Sequence, residues 1–174
     1  MATPTTLPAS FTAGQVLTAA QMNDLRGAFR ILQVVQTVKL DYFTTTSTSL
    51  VDVTGFSVSI TPSSASNKVL VIANYNVSNT TGLILGQLVR DSTEIYEGSE
   101  TVTFVGTSLM NVADGTSRIS MSTTPVFLDS PATTSATTYK LQVRVNNGTG
   151  VFNRAGNAAD VSLASSITVM EVSA

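Results

Sequence analysis

The chain has 174 residues and a mass of 18.2 kDa, which suits one domain and a terminal segment. It contains no Cys, no His and no Trp, so zinc fingers, thiol nucleophiles, Ser-His-Asp triads and disulfide frameworks are excluded. Because the missing residue types remove so much catalytic chemistry, we expect no enzyme activity and no cofactor. Nine Lys and Arg residues against eleven Asp and Glu residues give a net charge of −2, so we expect no nucleic-acid partner.

The sequence predicts neither export nor membrane insertion. Residues 1–8 carry neither the basic region nor the apolar region of a signal peptide. No apolar run in the chain approaches the roughly 18 residues that a membrane helix needs. We therefore expect a soluble protein that is assembled in the cytoplasm.

Residues 1–16 are rich in Pro, Thr and Ala and show no apolar period, so we expect an extended N-terminal arm. A terminal segment that has no core of its own is normally disordered. It becomes ordered where a partner surface holds it, and both outcomes remain open for this arm.

A short α-helix is predicted over residues 17–30. Thr18 and Gln21 fit a capping box, and apolar residues then repeat at helical spacing. The apolar positions are Leu17, Met22, Leu25 and Phe29. Because a helix of about three turns is not stable alone, this stripe must pack against another surface. We expect it to attach the chain to other copies or to a host particle, and packing on its own β domain is the alternative.

From Ile31 onward the apolar residues alternate, as they do in half-buried β-strands. The apolar face of the first candidate strand consists of Leu32, Val34, Val38, Leu40 and Tyr42. Further strands are predicted at residues 56–60, 68–77, 83–90, 94–97, 101–111, 117–121, 125–129, 138–145, 150–154 and 166–172. No helical pattern separates them, so residues 31–174 are predicted to form an all-β, antiparallel, jelly-roll-like β-sandwich.

Turn residues add detail to this sandwich. Asn147-Gly148 lies between two strand candidates and predicts a hairpin with a type I′ turn, in which both central residues have positive φ. Residues 56–72 and 126–145 share a strand, a Pro-containing loop and a second strand that begins near a Lys. Two such units fit the two Greek keys of a jelly roll, although a Ser- and Thr-rich chain also produces such echoes by chance.

Several strands are apolar on both faces, whereas one face of an antiparallel sheet normally meets water. This holds for residues 69–73, 83–85 and 167–172. Because no helix is available to cover the second face, we expect neighbouring subunits to cover it. The candidate interface residues are Leu70, Ile72, Leu83, Leu85 and Val169. A loop of the same chain over one face is the alternative.

Acidic residues recur at every third position from Asp91 through Glu94 and Glu97 to Glu100. A pair of carboxylates can hydrolyse a glycosidic bond, and a group of them can bind Ca²⁺. The Gly, Ser and Thr residues between them favour a solvated turn instead. We therefore predict no catalytic and no metal-binding residues, and cation binding by this acidic cluster stays open.

Carbohydrate binding is the main alternative function. Trp, the best platform for stacking a sugar ring, is absent, and most Phe and Tyr residues occupy predicted strands. Loops lined with Asn, Ser and Thr can still hydrogen-bond a glycan, with an affinity that depends on several copies acting together.

Several segments resemble virion proteins of tailed bacteriophages. The segment Phe11-Thr-Ala-Gly-Gln-Val-Leu-Thr-Ala-Ala-Gln-Met-Asn23 is similar to an N-terminal element of small tailed-phage virion proteins. Residues 129–140, Phe152-Asn-Arg154 and residues 166–171 resemble the terminal domain of phage fibre and head-decoration proteins. The resemblance implies a homotrimeric β-sandwich knob on the virion surface, without catalytic residues. The absence of a long shaft favours a compact decoration or head-fibre protein over a long tail fibre.

We therefore expect a non-enzymatic structural virion protein, a homotrimer whose residues 1–30 attach it to other capsid or tail proteins. The alternative is a tail-fibre module that recognises host surface glycan. A polysaccharide-degrading enzyme that uses the acidic cluster is a third hypothesis.

Overall fold

The structure is a computed structural model that describes residues 31–103, 105–112, 119–156, 158 and 160–174, together with residues 13, 14, 16, 18, 19 and 22. The predicted arm over residues 1–16 and the predicted helix over residues 17–30 therefore lie almost wholly outside the described residues. Within them, the amide of Met22 donates a hydrogen bond to the carbonyl oxygen of Thr18 at 3.0 Å. In the described part of the chain, no helix is long and apolar enough to cross a membrane.

Twelve strands make up the described part of the β domain. They are β1 (Ile31–Lys39), β2 (Phe43–Thr45), β3 (Val51–Ile60), β4 (Lys68–Asn79), β5 (Gly82–Arg90), β6 (Thr93–Ile95), β7 (Ser108–Val112), β8 (Met121–Thr123), β9 (Val126–Asp129), β10 (Thr137–Val145), β11 (Gly150–Phe152) and β12 (Ser165–Val172).

These strands form two antiparallel sheets. In the larger sheet the order is β1-β12-β4-β11-β2, and β8 and β9 also pair with β4. In the smaller sheet the order is β3-β10-β5-β6, and β7 also pairs with β5. The chain passes back and forth between the sheets, so that the order β1-β12-β4-β9 lies opposite β3-β10-β5-β6. This is the strand order of a jelly roll, and it confirms the predicted all-β antiparallel sandwich.

Alternation along the central strands builds the core. The inward residues of β4 are all almost fully buried: Val69, Val71, Ala73, Tyr75 and Val77. From the facing sheet, β10 contributes Tyr139, Leu141, Val143 and Val145. Phe56 of the smaller sheet meets Tyr75 and Phe152 of the larger one, with ring centroids 6.2 Å and 5.0 Å away. Apolar burial between the two sheets therefore holds the sandwich together.

Several strand predictions need correction in length or position. Of the described residues in the predicted strand 101–111, only residues 108–111 pair with β5, as part of β7 (Ser108–Val112). Of the described residues in the predicted strand 117–121, only Met121 is in a strand, β8 (Met121–Thr123). Residues 113–118 lie outside the described residues. The long strands β4, β5, β10 and β12 begin and end within two residues of their predicted bounds.

The predicted hairpin at Asn147-Gly148 is wrong. Gly148 has φ +74°, but Asn147 is not among the residues with positive φ, so the turn is not type I′. The flanking strands lie in different sheets, since β10 pairs with β3 and β5 whereas β11 pairs with β2 and β4. The carbonyl oxygen of Asn147 instead accepts a hydrogen bond from the Asn79 side chain at 3.0 Å. This segment carries the chain from one sheet to the other.

Candidate functional site

The predicted interface residues separate into outward and inward positions. Leu70 and Ile72 lie on the outer side of β4 and are half-buried, and Leu83 is also half-buried. Val169, by contrast, is fully buried in the core between the sheets. Leu85 is buried as well, so neither Leu85 nor Val169 lies on the surface of this chain.

Leu85 is covered by a loop of its own chain. A Cβ atom placed on Gly106 would lie 2.6 Å from Cδ2 of Leu85, which shows how closely that backbone approaches. The next residue holds the loop in place, since the Thr107 amide donates to the carbonyl oxygen of Gly86 at 2.9 Å. The Thr107 hydroxyl oxygen accepts from the amide of Leu88 at 2.9 Å. At Leu85, the second apolar face of β5 is therefore covered by a loop of the same chain.

The larger sheet has a different kind of outer surface. Strand register places Val34 opposite Met170, Met170 opposite Leu70, and Leu70 opposite Leu128. A second row places Thr168 opposite Ile72, and Ile72 opposite Val126. We call this surface the outer apolar face and define it by Val34, Leu70, Ile72, Val126, Leu128 and Met170. Val34 is 55% exposed and Leu128 is 46% exposed, so the described chain leaves this face uncovered.

The apolar stripe of β1 continues this surface. The apolar set that alternation predicts for the first strand is exposed throughout: Leu32, Val34, Val38, Leu40 and Tyr42. The inner side of β1 carries Gln33, Val35, Thr37 and Lys39 instead. The alternation is thus confirmed, but its apolar side faces outward. Beyond the strand, the guanidinium of Arg154 lies 4.5 Å from the ring centroid of Tyr42.

The predicted attachment residues are described only at one position. Met22 is 48% exposed. Leu17, Leu25 and Phe29 lie outside the described residues. Attachment through these four residues stays a prediction.

The acidic cluster, Asp91 to Glu100, begins in the turn after β5 and continues along an exposed segment of the chain. Asp91 has φ +53°, and one of its carboxylate oxygens accepts a hydrogen bond from the amide of Thr138 at 2.9 Å. Desolvation and a hydrogen bond with Glu94 raise the pKa of Glu97 above its usual value. Glu94, Glu97 and Glu100 are all exposed. Across the described ranges, no group of three or more acidic side chains lies close enough together to hold a metal ion.

A shallow polar depression lies on the smaller sheet, where β3 is bulged. The register between β3 and β10 shifts between Lys140 and Gln142, and Gly55 adopts φ +78° in the extra length of β3. The depression has a volume of about 370 Å³ and is lined mainly by polar residues, among them Asp52 and Lys140. Sequence reasoning missed this feature, although a glycine inside a strand is the usual signal of a bulge.

Asp52 is the charged centre of this depression. It accepts hydrogen bonds from Nζ of Lys140 at 2.9 Å and from the Gln142 side chain at 2.7 Å. These two hydrogen bonds hold the pKa of Asp52 below its usual value. The depression can therefore offer an ionised carboxylate, an ammonium group and hydroxyl groups to a polar ligand.

Two buried carboxylates stabilise the fold beneath these surfaces. Glu171 accepts four hydrogen bonds of 2.6–2.7 Å from neutral donors on Gln33, Ser63 and Asn67. Burial by itself would raise the pKa of Glu171, but hydrogen bonds from Asn67, Gln33 and Ser63 outweigh it and lower the pKa from 4.5 to about 2. Asp129 accepts hydrogen bonds from Arg90 at 2.7 and 2.8 Å and from the Tyr139 hydroxyl at 2.7 Å.

No protein-family model matches the sequence, and no curated protein matches it. Among solved structures, the chain is similar to a mutant VP2 protein of infectious bursal disease virus in derived T=1 particles, with 16% sequence identity and a TM-score of 0.38. The match covers 81% of this chain and 36% of that chain, so this chain spans little more than a third of its length. The likeness concerns the all-β fold alone, and the jelly-roll order described above rests on this chain's own strand pairing.

Proposed function

We propose that this chain is a non-enzymatic structural protein of a virus particle, of the tailed-phage type, and that it forms a homotrimeric knob on the particle surface. The observation that carries the proposal is the outer apolar face of the larger sheet, which the described residues leave uncovered. A soluble monomer rarely exposes a contiguous apolar surface of several hundred Å² unless another protein covers it. Jelly rolls also recur in capsid proteins, which is an argument from fold alone.

Burial of apolar surface supplies the energy of such an assembly. Each Å² of apolar surface removed from water contributes about 25 cal/mol, so a subunit interface adds stability that a chain with 11% charged residues does not obtain from ion pairs. The homotrimer is expected to scatter light as about three times the 18.2 kDa of one chain at micromolar concentration. A mass of one chain under these conditions, with residues 1–30 intact, would contradict the homotrimer.

Attachment to the particle is assigned to the arm and helix predicted in residues 1–30. The apolar contacts are Leu17, Met22, Leu25 and Phe29, of which Met22 is half-exposed in the described chain. The β domain then faces outward from the head or the tail. The test is gold labelling of purified virions with an antibody against the chain: copies over the head lattice indicate decoration, and a few copies at the tail indicate a fibre.

A pair of variants separates attachment from folding. In the full chain, Leu25→Asp is expected to lower incorporation into particles at least about tenfold, because it places a charge on the apolar stripe. Asn23→Asp is the matched control, because residue 23 lies off that stripe, and this variant should be incorporated into particles normally. Equal incorporation of both variants would contradict attachment through the stripe.

The polar depression favours one second candidate, recognition of a host surface glycan. In one concave surface, Asp52 offers hydrogen-bond acceptors, Lys140 offers donors, and the Thr138 hydroxyl can act as either. Binding of the assembled protein to an array of bacterial surface glycans tests this, with Asp52→Ala expected to abolish the signal and Glu100→Ala expected to leave it unchanged. An array without any bound glycan would remove this candidate.

A further inference from the structure

We propose that a second copy of this chain covers the outer apolar face. The inference deepens the proposed function and rests on the self-association proposed there, because it names the surface through which copies meet. The face is defined by strand register across four strands: β1, β12, β4 and β9. It is therefore a continuous surface and not a set of scattered apolar side chains.

The face is almost free of charge. At the described outward positions of these four strands, the one charged side chain is Lys68, which register places at the end of the face, opposite Val172. Recognition of a charged partner requires charges of the opposite sign on this face, and the face has almost none. An uncharged β face fits an uncharged apolar surface of another copy, and three such faces can meet around the axis of the proposed homotrimer.

Two pairs of polar side chains on this side of the larger sheet are hydrogen-bonded to each other. Nε2 of Gln36 donates to the Thr168 hydroxyl at 2.8 Å. Nδ2 of Asn74 donates to the Thr124 hydroxyl at 2.8 Å. These groups keep partners when water is removed, so covering the face costs less than covering unpaired amides and hydroxyls.

The area is of the size that a subunit contact needs. Seven apolar side chains of the face and of the adjoining β1 stripe are 41–67% exposed: Leu32, Val34, Val38, Leu40, Tyr42, Val126 and Leu128. At on the order of 90 Å² each, they offer on the order of 600 Å² of apolar surface, against about 800 Å² per partner in a standard interface. A single bound peptide strand would cover only a small part of a face that is four strands wide, whereas the β domain of another copy presents a surface of comparable width. This comparison favours a second copy as the occupant.

The test uses the full chain and a matched pair of surface leucines. Leu128 lies on the outer apolar face and is 46% exposed, whereas Leu109 lies on the outer side of the smaller sheet and is 52% exposed. Both positions are exposed in the single chain, so Leu128→Lys and Leu109→Lys should both fold. We expect Leu128→Lys to raise the dissociation constant of the assembly at least about tenfold, because a charge must enter an apolar interface. Leu109→Lys should assemble as the parent chain does.

Analytical ultracentrifugation of the parent chain and both variants decides between the outcomes. A parent that stays at 18.2 kDa at every concentration overturns both the inference and the proposed homotrimer. An assembled parent with an equally assembled Leu128→Lys variant overturns this face alone. Assembly at the mass of two copies, lost in Leu128→Lys, supports the face and replaces the homotrimer with a dimer.

A second measurement does not depend on introducing a charge. Because the chain has no Cys, Leu128→Cys and Leu109→Cys each provide a single thiol. Labelling of Leu128→Cys by a maleimide is expected to slow at least about tenfold when the protein is concentrated into its assembled form, while Leu109→Cys keeps its rate. Equal protection of both thiols, or protection of neither, would overturn the assignment of this face.

Discussion

At the scale of single residues, the buried carboxylate of Glu171 makes the stability of the fold depend on pH. The pKa of Glu171 is about 2 in the folded chain, against 4.5 in the unfolded chain, so folding favours the charged form of this side chain. The stabilisation, about 3 kcal/mol, is complete above about pH 4.5 and is lost as the pH falls toward about 2. The free energy of unfolding, measured with urea over this range, is expected to decrease accordingly.

The variant Glu171→Gln isolates this contribution. It removes the charge that the donors on Gln33, Ser63 and Asn67 stabilise, so we expect a loss of about 2–3 kcal/mol at neutral pH and a flatter decline in acid. Glu100→Gln is the control, because Glu100 is exposed. If the acid decline of Glu171→Gln has the slope of the parent chain, another carboxylate is responsible for it.

Asn153 combines an unusual backbone conformation with buried hydrogen bonds. It has φ +62°, and its Nδ2 donates to the carbonyl oxygens of Lys39 at 2.7 Å and Asp41 at 3.2 Å. Asn153→Ala loses both the bonds and the tolerance for positive φ, and we expect it to cost about 3 kcal/mol. Asn153→Gly loses only the bonds, so it should be about 1 kcal/mol more stable than Asn153→Ala. Equal stabilities in chemical denaturation would show that the backbone conformation contributes nothing.

At the scale of elements, alternation predicts which residues share a face of a strand but not which face is buried. In β1 the more apolar face is the exposed one. The inner face instead brings Gln33 to Glu171 and Val35 opposite Val169. Nothing local to β1 specifies these long-range partners. The apolar pattern therefore predicts the strand correctly but does not specify which of its faces is buried.

The loop over β5 is a second case in which the local pattern does not specify what covers a strand. Residues 83–85 are apolar on both faces, which is equally consistent with a subunit contact and with a loop of the same chain. The structure shows the loop of the same chain, because the backbone of Gly106 lies close to Leu85. Apart from the glycine itself, nothing in the local sequence predicts this contact. Of the predicted interface residues, Leu70 and Ile72 are the two that lie on the outer apolar face.

Gly106 therefore provides a test of how the loop is held. A Cβ atom at this position would lie 2.6 Å from Cδ2 of Leu85 and 3.1 Å from the carbonyl oxygen of Gly86. We expect Gly106→Ala to lower the free energy of unfolding by about 1–3 kcal/mol. Gly98→Ala is the matched control, since nothing lies within 4 Å of its Cβ position, and it should change stability by less than about 0.5 kcal/mol.

A double-mutant cycle completes this test. Adding Leu85→Ala to Gly106→Ala removes the atoms that the new methyl group meets, so the two changes together should cost at least about 0.5 kcal/mol less than their sum. Strict additivity in urea denaturation would show that the loop does not pack on Leu85 in solution.

At the scale of the whole molecule, the architecture follows from the sequence more directly than the pairings do. Strands that no helix separates pair antiparallel and close into a sandwich, so the fold class is predictable. The turn at Asn147-Gly148 has the local chemistry of a hairpin, yet it joins two sheets, because β11 obtains its partners from β2 and β4. Partners so distant in sequence are set by the packing of the whole sandwich.

The Asp129 cluster ties the two sheets together at one end of the sandwich. Asp129 ends β9 in the larger sheet, whereas its partners Arg90 and Tyr139 lie on β5 and β10 of the smaller sheet. Burial, and then the hydrogen bond with Asp129, raise the pKa of Tyr139, which keeps its hydroxyl proton available for donation. Removing the charge at residue 129 therefore weakens a contact between sheets and not within one.

We expect Asp129→Asn to lower the free energy of unfolding by about 2–3 kcal/mol, because it leaves Arg90 without its buried partner. Asp52→Asn is the matched control, since Asp52 pairs with Lys140 within the smaller sheet and is more than half exposed. That pair is expected to contribute less than about 1 kcal/mol. Urea denaturation of both variants measures the difference. Equal losses in the two variants would contradict the view that this cluster holds the sheets together, since an exposed ion pair within one sheet would then contribute as much as a buried one between them.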